Sequence, residues 1–144
     1  MLTISIASDH GGLALKKAIV SYLKENDYSI IDHGTHSRES VDYPDYSRLV
    51  VKDLQDEKAD LGVLVCGTGI GMSIAANKNE GIRAAVVGDV FSAQATRAHN
   101  NTNILCLGER VAGEGLALMI LETWLTTEYE GGRHQSRLDK IESN

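Results

Sequence analysis

One proline, one tryptophan, one phenylalanine and two cysteines are all that 144 residues contain of those types. So little proline excludes a proline-rich linker or a collagen-like chain. The few aromatics, with only five tyrosines beside the single Trp and Phe, leave little for stacking on bases. No run of Lys or Arg is present and the formal net charge is −6, so the basic footprint of a nucleic-acid binder is missing too. Nucleic acid is not an expected partner. No apolar stretch approaches the roughly 18 residues of a membrane span, so neither is a membrane. The sequence opens on a strand-like run rather than a basic region, an apolar segment and a cleavage site, and the expected compartment is the cytoplasm. There Cys66 and Cys106 stay reduced, and each has to be explained as a thiol.

What is present is ordinary globular material, 42% hydrophobic and 24% charged. The length suits one domain over 1–144, with a core of its own. Apolar β-branched runs at Leu2–Ser8, Tyr28–Asp32, Leu61–Cys66, Ile82–Val87 and Asn103–Leu107 read as strands. Between and after them, helical periods cover Gly12–Glu25, Asp45–Asp56, Gly69–Lys78, Asp89–Ala98 and Gly113–Leu125. Such alternation predicts an α/β fold: three αβα layers with a Rossmann-like, five-stranded parallel sheet. Leu61–Cys66 shows no polar alternation and is expected mid-sheet, buried on both faces. Pro44 suits the first turn of the second helix, placing that boundary at Asp42 or Tyr43. After Trp124 a Gly131-Gly132 break precedes a short polar helical tail, which stays ordered only if something holds it.

Ligands of open parallel sheets sit outside the carboxyl ends of the strands. Unusual residues gather in Ser8-Asp9-His10-Gly11-Gly12, in Cys66-Gly67-Thr68-Gly69-Ile70-Gly71 and, after the fourth helical segment, in His99-Asn100-Asn101-Thr102-Asn103. All three are expected to face one crevice. The amides of Gly67, Thr68, Gly69, Ile70 and Gly71, between a buried strand and a helix, suit an anion backed by the helix dipole, although a tight turn reads the same way. A dinucleotide fingerprint is the sharpest rival, since Asp89 follows at about the right spacing, but Met72 stands where a third small residue belongs. Cys66 precedes that loop, where N–H groups favour a thiolate that serves as base or nucleophile; the alternative is a small buried hydrophobe. Cys106, inside a strand, is assigned to the core.

Asp9 and His10 suit hydroxyl and phosphate contacts, or merely a surface turn. His99 and Asn100 suit a helix end as well as a site. Arg133 and Arg137 are four apart, so on a helix they share a face and form either a phosphate clamp or a solvated tail. Cationic groups gathered on an acidic protein, Arg110 among them, point to a small anionic substrate. No spacing resembles a metal site, and no metal is expected.

Taken in order, Ser8–Gly12, Asp42-Tyr43-Pro44-Asp45-Tyr46, Cys66–Gly71 with Ile74-Ala75-Ala76-Asn77-Lys78, Ser92-Ala93-Gln94, His99–Asn103 and Glu130-Gly131-Gly132-Arg133-His134-Gln135 resemble the type B ribose-5-phosphate isomerases over essentially the whole chain. That resemblance implies interconversion of ribose 5-phosphate and ribulose 5-phosphate, within the pentose phosphate pathway, without metal or organic cofactor. It implies that Cys66 is the base moving a proton between C1 and C2, that Thr68 assists at the adjacent oxygens, and that the Gly67–Gly71 amides stabilise a cis-enediolate. His99 would open the furanose ring, Asp9 and Asn100 would hold hydroxyls, and Tyr43 would line the site. His10, Arg110, Arg133 and Arg137 would serve the phosphate. A homodimer, or a dimer of such dimers, is also implied, with each site built from two subunits and the tail, 126–144, docked on the partner.

Some members of the wider family lack the cysteine and use a glutamate just after the glycine loop; Cys66 is present and Met72 holds that place. Related galactose-6-phosphate isomerase subunits tend to lose the ring-opening histidine, and His99 is kept. Three readings compete with a pentose-phosphate isomerase: an isomerase of a six-carbon sugar phosphate such as allose 6-phosphate or galactose 6-phosphate, a phosphosugar-binding module that does not turn over, and a dinucleotide-dependent oxidoreductase.

Overall fold

The computed structural model describes residues 1–143, so Asn144 of the expected tail lies outside the described residues. The strands are β1 (Thr3–Ser8), β2 (Ser29–Asp32), β3 (Leu61–Cys66), β4 (Ala84–Val86) and β5 (Ile104–Gly108). The helices are α1 (Leu13–Glu25), α2 (Tyr43–Gln55), α3 (Ile70–Asn77), α4 (Val90–Ala98), α5 (Glu114–Thr126) and α6 (Arg133–Glu142), with a 3-10 turn over His10–Gly12 before α1. All strand pairs are parallel, in the order β2-β1-β3-β5-β4. β3 is central and every one of its residues is buried, as its unbroken apolar run requires.

The two sides of the sheet carry separate cores, because side chains alternate along a strand. Ile4, Ile6, Val63, Val65, Leu105 and Leu107 pack under Leu15, Ile19 and Leu23 of α1, Ala93 of α4 and Ala117, Ile120, Leu121 and Trp124 of α5. Ala7, Leu64, Cys66, Ile104 and Cys106 face Val50 and Val51 of α2 and Met72 and Ala76 of α3. Right-handed crossovers give this division directly: connections running one way across the sheet place α2 and α3 on one face, and those returning place α1 and α4 on the other. Pro44 lies in the first turn of α2, which begins at Tyr43 directly after Asp42.

β4 is shorter than Ile82–Val87. It is an edge strand paired only with β5, and its outer edge is met by a side chain: the Asn77 amide donates to Ala84 O (2.9 Å) while its oxygen accepts from Ala84 N (2.8 Å). Closing a strand edge this way also hinders pairing with another chain.

The tail packs on its own chain. Leu138 is buried, Glu130 N donates to Ala98 O (3.0 Å), and Arg83 pairs with Glu142 (2.9 Å). These contacts hold α6 on its own chain.

Candidate active site

Cys66 ends β3, and its Sγ accepts a hydrogen bond from Gly69 N at 3.0 Å. That bond sets the positive end of a peptide dipole on the sulphur. The loop can close so tightly because Gly69 has φ +82°, and a Cβ there would lie 3.1 Å from the Leu107 backbone. From the other side, a Cβ on Gly108 would meet Thr68 C at 2.6 Å. The loop is therefore pressed onto the end of β5, with Glu109 N donating to Cys66 O (2.9 Å) and Arg110 N to Gly67 O (3.0 Å). Thr68 Oγ1 accepts from Ile70 N at 3.2 Å and is exposed. Beyond it, the N–H groups that follow Ile70 in the first turn of α3 have no acceptor within the helix ahead of them.

Four more side chains join this pole. Asp9 is nearly buried; its N–H bonds Val65 O (3.2 Å) and its Oδ1 accepts from Gly11 N (2.9 Å). Val41 N donates to His10 Nδ1 at 3.2 Å, so a neutral His10 carries its proton on Nε2 and keeps it as a donor for an anion. Tyr43 lies against Gly71, where a Cβ would come within 2.6 Å of the ring. The Arg110 side chain flanks Gly67, its Cδ 3.6 Å from where a Cβ would be.

His99, Asn100, Arg133 and Arg137 are elsewhere, which corrects the expectation of a single crevice. A helix in a parallel βαβ unit runs back along the strands, so the end of α4 lies at their amino ends. Asn103 N donates to Arg83 O and Gly62 N to Asn103 O, both at the start of the sheet, whereas Cys66 is level with Gly108 at its far end. Five residues of strand at about 3.3 Å each separate the two poles by about 16 Å. His99 stacks on His134 of α6, with ring centroids 4.5 Å apart, so the arginines of α6 share its pole. The loop after α4 is held by Trp124, whose Nε1 donates to Thr102 Oγ1 (3.0 Å), and by Arg97, which donates to Thr102 O and lies 5.4 Å over the Trp124 ring.

Asp89 serves the fold: its carboxylate caps α4, accepting from Ser92 N (2.7 Å) and Ser92 Oγ (2.8 Å), and those two bonds hold it below the usual carboxylate range. Met72 is fully buried between α3 and the sheet, filling the space a dinucleotide fold keeps for close helix–strand approach. Burial pushes the Cys106 thiol up, and the neighbouring Cys66 adds to the effect, so Cys106 is the inert core residue expected. Glu130 and His134 join His99 as a cluster that the sequence pattern does not announce; they lie 31 and 35 positions further along, and no local spacing links them.

One chain thus holds two groups of candidate site residues at opposite ends of a doubly wound sheet: a thiol with a glycine-rich loop of amides, and a histidine with two arginines. That combination defines an α/β protein built to act on a small anion. The chain belongs to the ribose/galactose isomerase family, whose model matches residues 4–141. It is similar to ribose-5-phosphate isomerase B of Escherichia coli, 49% identical over 98% of this chain and 95% of that one. The Clostridium thermocellum ribose-5-phosphate isomerase B structure superposes with a TM-score of 0.98 at 51% identity, covering 99% of this chain and 96% of the other. A Mycoplasma genitalium ribose-5-phosphate isomerase B with bound ribulose 5-phosphate gives 0.93 at 43% identity, over 98% and 94%.

Proposed function

We propose that this chain is an aldose–ketose isomerase interconverting ribose 5-phosphate and ribulose 5-phosphate, with Cys66 as the base. The observation that carries the reading is the Cys66 sulphur held by Gly69 N at 3.0 Å, directly before a loop of converging amides. In the open-chain aldose, Cys66 takes the proton from C2 as the electrons move towards the C1 carbonyl. The cis-enediolate that results bears its charge on oxygens beside preorganised N–H donors, where such donors are worth most. Thr68 moves the proton between the two oxygens, and return of the carbon-bound proton to C1 gives the ketose. Asp9 orients hydroxyls, Tyr43 walls the crevice, and His10 and Arg110 hold the phosphate.

Ring opening requires a proton taken from the anomeric hydroxyl and one given to the ring oxygen. His99 is the group for this, and in one chain it is at the wrong pole. A two-fold pair of chains resolves the difficulty, because opposing poles then meet and the partner subunit's His99, Asn100, Arg133 and Arg137 complete each site. Exposed Ile70 and Ile74 on α3, beside Tyr43, supply an apolar seat for that partner. Among the described residues no helix is long and apolar enough to cross a membrane, and both cysteines are free thiols, in keeping with an enzyme of the cytoplasm.

The decisive experiment measures ketose formation from ribose 5-phosphate and from allose 6-phosphate by wild type and Cys66→Ala. Wild type converts the pentose, and the variant loses turnover by about a thousandfold or more while still binding sugar phosphate. Binding without turnover in wild type would instead make the chain a phosphosugar-binding module, and a preference for the hexose would move the substrate up by one carbon.

A further inference from the structure

His99, Glu130 and His134 place three ligand atoms within 4.8 Å of one another. The His134 Nε2 lies 3.3 Å from Glu130 Oε1, and His99 Nε2 lies 3.9 Å from the same oxygen. Glu130 owes its place to the turn that follows it. Gly131 and Gly132 have φ of +66° and +56°, which folds the carboxylate back over the first turn of α6. His134 is nearly buried, so its ring is fixed by packing, whereas His99 and Glu130 are exposed and adjustable.

We propose that His99, Glu130 and His134 form a site for one divalent transition-metal ion, of which zinc is the type, and that occupancy stops ring opening by withdrawing His99. Two imidazole nitrogens and one carboxylate oxygen are a zinc donor set with a fourth place left for water. A tetrahedral ion with bonds of about 2.0–2.1 Å keeps its ligand atoms about 3.3 Å apart. His134 and Glu130 already have that separation, and His99 must close on Glu130 by about half an ångström and on His134 from within 4.8 Å. The near-parallel rings, 18° between planes, must also open into a V for both nitrogens to aim at one ion. His99, at the exposed end of α4, is free to swing. The ion would hold a proton-transfer group by its lone pair, so metal and ring opening exclude each other. The binding part stands on geometry alone; the inhibitory part rests on the role given to His99 above.

Zinc is the probe of choice, because it is redox-inert and leaves the Cys66 thiol unoxidised. Titration against a chromophoric chelator is expected to show one zinc per chain for wild type and for Cys66→Ala, with affinity falling more than about tenfold in Glu130→Gln and in His134→Gln. Glu130 is exposed, so its substitution tests the site without risk to the fold. Binding that survives both substitutions, or that disappears in Cys66→Ala, would overturn the site. Zinc is further expected to inhibit turnover of ribose 5-phosphate, reversibly on chelation, and to spare a short aldose phosphate that cannot close a furanose ring. Equal inhibition of both substrates would refute the mode of action. If the chain turns over neither sugar, the titration still decides the metal site by itself.

Discussion

Lys16 is almost fully buried, in a position of α1 that the apolar stripe Leu15, Ile19, Leu23 surrounds, and its ammonium is answered by Asp32 at 2.8 Å. Burial works to raise the Asp32 carboxyl, but the Lys16 hydrogen bond and charge and the Gly34 N–H outweigh it and hold the group below the usual carboxylate range. A carboxyl lowered on folding contributes stability that is present above its unfolded value of about 3.9 and is lost as the pH falls through the lower folded value. Asp32→Asn is accordingly expected to destabilise the protein at pH 7 by on the order of 3 kcal/mol, since it leaves a buried ammonium without its counter-charge. Denaturant unfolding of wild type and variant from pH 7 down to pH 2.5 checks this. The difference should be constant to about pH 5 and narrow below pH 4; a gap that ignores pH would mean packing, not charge, holds the pair.

Most of the architecture is legible at the scale of the element, because each strand and helix is announced by its own period. β3, α1 and the Gly67–Gly71 loop follow from a few adjacent residues, and so does the contrast between Cys66 at a strand end and Cys106 inside one. Two things are not legible. The order of β4 and β5 depends on how crossovers pack, which no local pattern encodes, and the place of His99 is misread when the end of a helix is treated as the end of a strand. The direction of chain travel decides between those two, and it places α6 with α4. Leu138 is the apolar anchor of α6, a ten-residue helix too short to persist undocked. Leu138→Ala should loosen that docking by about 2–3 kcal/mol. If Arg133 and Arg137 hold the phosphate, KM for ribose 5-phosphate rises several-fold while kcat changes less, and amide exchange quickens over 133–142 with little change in the core strands. Faster exchange with unaltered KM would free the arginines of their proposed role.

At the scale of the whole molecule, the proposed division of each site between opposite poles makes function a property of a pair of chains. Subunit mixing tests this in a way single variants cannot. Cys66→Ala lacks the base and His99→Asn lacks the ring opener, and each homodimer is defective at both of its sites. Refolded together in equal amounts, the chains associate at random, so half of the pairs are mixed. A mixed pair has one site with both lesions and one with neither, the second taking Cys66 from the His99→Asn chain and His99 from the Cys66→Ala chain. Activity on cyclic ribose 5-phosphate should then recover to about a quarter of wild type per chain, from nearly nothing in either parent. The readout is initial rate against mixing ratio, with a maximum at equal amounts. Were both groups to act within one chain, no ratio would restore activity, since neither chain carries both; recovery at equal mixing therefore reports the exchange of His99 between subunits and not the presence of either residue.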